Sequence, residues 1–90
     1  MSGWGIEFPE RLNDEFAHLS AGERRAIYDL LKQLADEPRA GTSTREPITA
    51  AELRRALTSP AADSGDRVTI LYRLDDETRT VQLIWFLAGP

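Results

Sequence analysis

Five arginines in the second half of the chain, Arg54, Arg55, Arg67, Arg73 and Arg79, are the residues best suited to gripping a phosphate. A guanidinium is permanently charged, and its fork of donors matches phosphate oxygens. Gathered into a strip, they would offer cations to a scissile phosphate. The same residues lie close to Asp66, Asp75, Asp76 and Glu77, so they also read as solvent-facing charges around turns. A proton-transfer partner is harder to find. His18 is the single histidine and falls on a helical stretch beside an apolar stripe. Tyr72 suits either a catalytic acid or a packed tyrosine with a bonded hydroxyl. No pair of carboxylates has the spacing of an acid/base site. Gly41, Gly65 and Gly89 form no phosphate loop. With no cysteine and one histidine, neither a disulfide nor a metal site is expected, and no cofactor is implied.

Charge argues against nucleic acid as the main partner. Fifteen acids face eleven bases, for a formal net charge of −4. Proteins that bind nucleic acid draw most of their affinity from clustered cations. Long-range steering toward RNA would be poor here. No apolar run approaches the ~20 residues of a membrane span, and no basic, apolar leader opens the chain. The expectation is a cytoplasmic protein with no membrane contact, one domain over residues 1–90.

The elements that would position these residues follow from periodicity. Ile6 and Phe8 alternate with polar neighbours over Trp4–Phe8, as in an opening strand. Pro9 then suits a first helical turn. Leu12, Phe16 and Leu19 form one stripe of an amphipathic helix. Ser20 and Glu23 make a capping box, which starts a second helix. Ile27, Leu30, Leu31 and Leu34 are its apolar face, and Glu37-Pro38 ends it. Residues 39–47 read as a loop. Residues 48–59 support two readings: a short helix capped by Thr49 and Glu52, or a strand over Arg54–Ser59. Asp66–Leu74 alternates, a polar turn follows at 75–79, and Thr80–Leu87 is rich in β-branched and aromatic residues. The last two runs predict a hairpin.

This order, with the Leu-x-x-x-Pro helix end (Leu34 to Pro38) and the run Leu71-Tyr72-Arg73-Leu74-Asp75-Asp76 before Arg79-Thr80-Val81, resembles the RelE/ParE toxin superfamily. The resemblance spans nearly the whole chain. It implies an α+β domain in β-α-α-β-β-β order, with a helical hairpin on one face of a small, mostly antiparallel sheet. It implies further that such domains cut messenger RNA on the ribosome or poison gyrase, and are held inactive by an antitoxin. Carried over residue by residue, the ribonuclease site is thin. Thr69 falls where the family has a phosphate-binding arginine. Aligning Gly89 with the family's strand-end glycine places the catalytic arginine beyond Pro90. Arg54 and Arg55, with Arg67 and Arg73, are the remaining catalytic candidates.

One feature points elsewhere. The last strand is apolar on both sides, and two helices cover only one. If Val68, Ile70, Tyr72, Ile84 and Phe86 meet the helices, then Leu71, Leu83, Trp85 and Leu87 face away. Either residues 45–60 fold over them, or they form a partner-binding surface. The expectation is a toxin-like protein that acts through protein binding, with an antitoxin-like protein or an identical subunit as partner. The alternatives are a ribosome-dependent mRNA endonuclease and a gyrase inhibitor.

Overall fold

The computed structural model describes residues 3–44 and 52–89. Pro9, with extended backbone, precedes a 3₁₀ turn at Glu10–Leu12. The turn runs into α1 (Asn13–His18). The Ser20 capping box then starts α2 (Ala21–Asp36): the Glu23 N–H donates to Ser20 Oγ at 3.1 Å, and the Ser20 N–H donates to Glu23 Oε1 at 2.8 Å. As the spacing predicts, Ile27, Leu30, Leu31 and Leu34 are buried along one side of α2. The helix ends at Asp36, and Pro38 opens a second 3₁₀ turn, because proline lacks the N–H that would continue the ladder.

The strands are β1 (Gly5–Glu7), β2 (Thr42–Thr44), β3 (Glu52–Leu57), β4 (Arg67–Asp75) and β5 (Thr80–Gly89). They form one sheet in the order β1-β5-β4-β3-β2, with β1 parallel to β5 and the other pairs antiparallel. The α+β class and the helical hairpin on one face agree with expectation. The sheet has one strand more, since β2 forms inside the stretch expected to be loop. For residues 48–59 the strand reading holds: Glu52–Leu57 pairs with β4 along its whole length. Neighbouring backbone outweighs the local capping pattern there; Thr49 lies outside the described residues.

The core joins Leu12, Ile27, Leu30, Leu31 and Leu34 to Val68, Ile70, Tyr72 and Leu74 of β4 and Val81, Leu83 and Phe86 of β5. Phe8, Phe16, Tyr28 and Phe86 extend it as edge-to-face ring contacts at 5.3–5.6 Å, Phe8 meeting Phe16 and Phe86, and Phe16 meeting Tyr28. One expectation fails here. Leu83 is buried against the helices and Ile84 is not, the reverse of simple alternation. The register shows why: Leu71 pairs with Trp85 but Tyr72 pairs with Leu83, so Ile84 is an extra residue in a β-bulge. The bulge moves β5 half a period, putting Val81 and Leu83 on the same face as Phe86. Arg11 reaches across to this point and donates to the Ile84 carbonyl at 2.8 Å.

Candidate functional site

The candidate residues divide between two faces of one sheet, and register decides which goes where. Arg54 pairs with Tyr72 and so lies toward the helices. Its Nε donates to Glu52 Oε2 at 2.7 Å, and a terminal nitrogen donates to the carbonyls of Gly41 at 2.6 Å and Arg39 at 3.2 Å. Tyr72 completes the same clasp. Its hydroxyl donates to the Pro38 carbonyl at 2.9 Å and accepts from the Gly41 N–H at 3.2 Å. Burial pushes the Tyr72 hydroxyl above its ordinary pKa, so it stays protonated and serves as a strut. A side chain at Gly41 would collide with that hydroxyl and with the Arg55 carbonyl. Glu52 accepts from Arg54 and from Arg39; these bonds, the Arg54 one foremost, hold its carboxyl below the usual range. Arg39 also pairs with Asp76 at 3.0 Å and lies over the Trp4 ring at 5.8 Å. Arg54 therefore fastens the segment after α2 to β3, and its fork is engaged by protein oxygens.

The opposite face carries different residues. The rows across β3, β4 and β5 are Leu53–Arg73–Gln82, Arg55–Leu71–Trp85 and Leu57–Thr69–Leu87, followed by Arg67–Gly89. No described element packs on this side. Trp85 is 50% exposed, Leu87 61% and Leu57 51%, with Leu71 half-buried between them. Arg73 donates to Gln82 at 2.7 Å. Arg55 and Arg67 are exposed and have no hydrogen-bond or ion-pair partner among the described residues. The result is an apolar band with guanidinium groups beside it.

Of the expected partner-binding set, Leu71, Trp85 and Leu87 share this face, and Leu83 leaves it because of the bulge. Leu57 joins it, hidden from sequence reading by the ambiguity of residues 48–59. Of the arginines, Arg55, Arg67 and Arg73 share the open face; Arg55 and Arg73 occupy adjacent rows, whereas Arg67 lies six residues from Arg73 along β4, about 20 Å away. Arg54 is not on that face, and Arg79 sits in the β4–β5 turn with φ 55°. His18 is on the exposed side of α1, its ring within 2.6 Å of the Asp14 carbonyl. No cluster of three or more histidine, cysteine or carboxylate groups suited to a metal occurs among the described residues. No described helix is long and apolar enough to cross a membrane.

No protein-family model matches the chain, and no curated protein matches it in sequence. Solved structures do. The isolated E. coli RelE toxin superposes with a TM-score of 0.69 at 21% identity, covering 97% of this chain and 85% of that one. A second free-state structure, of an E. coli RelE mutant, gives 0.68 at 21% identity, over 93% of this chain and 81% of the other. The intact E. coli RelBE toxin–antitoxin complex gives 0.68 at 20%, over 97% and 98%. At these scores and coverages, this chain has the fold of the E. coli RelE toxin structures.

Proposed function

We propose that the chain is a RelE-type, toxin-like protein of the cytoplasm that works by binding another protein through its open sheet face. An antitoxin-like polypeptide is the expected partner. The observation that carries the reading is the uncovered band of Leu57, Leu71, Trp85 and Leu87. Exposed apolar area concentrated on one face is the mark of an interface. Arg55, Arg67 and Arg73 beside the band favour a partner segment that is apolar at its centre and acidic at its margins. A solved toxin–antitoxin complex among the similar structures supports the same class of partner.

The test is a titration of the full chain with the product of a small adjacent reading frame. The wild type should bind, and Trp85→Asp should weaken binding by at least about tenfold, a loss of ~1.4 kcal/mol. Equal binding by both would remove the open face from the account. An endonuclease reading is favoured by one observation, the placement of Arg55 and Arg73 in adjacent rows on that face. It predicts growth arrest on expression that Arg55→Ala with Arg73→Ala relieves and cleavage of ribosome-bound mRNA. Cut transcripts from purified components would put it ahead of the binding reading.

A further inference from the structure

We infer that two copies of this chain pair antiparallel along the outer edge of β5, with Leu87 on the two-fold axis. The inference rests on the reading that the Trp85 side of the sheet takes a protein, and it names a second copy as one such protein.

The edge is bare where pairing is needed. On the side of β5 away from β4, β1 covers Thr80–Gln82 alone. Arg11 then occupies the Ile84 carbonyl at 2.8 Å and approaches that of Leu83 at 3.5 Å. From Trp85 to Gly89, among the described residues, that edge meets neither a strand nor a capping side chain. Five extended residues span about 17 Å. The segment Trp85-Phe86-Leu87-Ala88-Gly89 has no charge, no proline and no bulge, the usual devices that keep an edge strand solitary.

Side-chain sizes then select the occupant. An antiparallel pair centred on Leu87 sets Trp85 opposite Gly89 of the second copy, Phe86 opposite Ala88, and Leu87 opposite itself. Large meets small in each unlike pair, so the side chains fit side by side, and each contact recurs about the two-fold axis. Gly89 is not demanded by its own fold: its φ is not positive, and an added Cβ would find no atom within 4 Å. Arg67 lies in the Gly89 row on the open face. Across the gap left by that glycine it can reach the face of Trp85 from the second copy, a cation–π pairing. Leu87 and Trp85, left exposed in the single chain, would then continue into the same band on the second copy.

Sedimentation equilibrium of the full chain, from micromolar to millimolar concentration, tests the pairing. A monomer–dimer equilibrium is expected. Because each copy carries a net charge of −4 with no acid on the paired segment, the dimer should strengthen with added salt. Leu87→Glu sets a carboxylate against its own image and should weaken the dimer at least about tenfold. Leu87→Lys should do the same, and mixing the two variants should restore a dimer. Gly89→Leu, which fills the space opposite Trp85, is a second route to the same loss. Circular dichroism melts check that each variant folds. A wild type that stays monomeric throughout, or dimers unaffected by both Leu87→Glu and Gly89→Leu, would overturn the pairing. A monomer that still binds an antitoxin-like protein, and loses it on Trp85→Asp, would overturn self-pairing while leaving the protein-binding reading intact.

Discussion

The two faces of the sheet are built from the same strands and differ in what happens to their polar groups. On the helix side, Tyr72, Arg54 and Thr58 each find a partner within the chain. Tyr72 bonds the Pro38 and Gly41 backbone, Arg54 takes the Gly41 and Arg39 carbonyls, and the buried Thr58 hydroxyl accepts from the Val68 N–H. On the open side, Arg55 and Arg67 have no such partner among the described residues, and Trp85, Leu87 and Leu57 remain in solvent. Unpaired buried groups are costly, so a chain of this size satisfies them where it folds. Exposed apolar groups and free cations add little to folding, and the proposed docking is what would account for their concentration on one side.

Core substitution should make the contrast plainest. Leu34 is fully buried beneath the sheet, and Leu34→Ala should cost about 2–5 kcal/mol in urea unfolding. A loss below ~1 kcal/mol would mean that the helix face is not where stability resides.

Acid offers an intermediate probe of the same side. Glu23 is buried at the start of α2, accepting first from the Ser20 N–H and then from the Ser64 hydroxyl, and these bonds lower its pKa from 4.5. A carboxyl whose native pKa lies below its unfolded value stabilises the fold fully above the unfolded pKa. That contribution fades as pH falls through the native value, so stability should decline below about pH 4.5. Glu23→Gln should cost about 1–3 kcal/mol at pH 7 and flatten the acid limb. An unchanged acid limb in the variant would assign the effect to other carboxyls.

The smallest effects belong to the open face. Trp85→Ser and Leu87→Ser, measured where the chain is monomeric, should change unfolding free energy by no more than about 0.5 kcal/mol. A loss of several kcal/mol would blur the distinction between the faces and argue that the described chain already covers that side.

Much of this division could be read from residue order. The Ile27, Leu30, Leu31 and Leu34 spacing gave α2, and Ser20 with Glu23 gave its start, because both signals are local. Alternation along β4 sorted Val68, Ile70 and Tyr72 from Leu71 and Arg73 correctly. The bulge at Ile84 has no comparable local signature, since a single inserted residue reverses a two-residue period without altering composition. Alternation alone therefore sends Leu83 to the open face, whereas it belongs to the core. Arg54 and Arg55 look equivalent in sequence, yet alternation sends them to opposite faces, and the carbonyls that engage Arg54 lie 13 and 15 residues away. Leu57 is not legible as an open-face residue, because the local pattern of its stretch reads as a short helix, with a strand only as the competing reading.

The start of α2 is marked twice, once by near neighbours and once from a distance. Asp63 accepts from the Gly22 N–H at 3.0 Å and from the Ser20 hydroxyl at 2.9 Å, while Ser64 donates to Glu23 at 2.7 Å. Gly22 leaves no room for a side chain beneath Asp63. Were the helix to wind one residue out of phase, all three of these links to the β3–β4 connection would break together. That connection thus acts as a gauge of helical phase, accepting the one rotation that turns Ile27, Leu31 and Leu34 onto the strands.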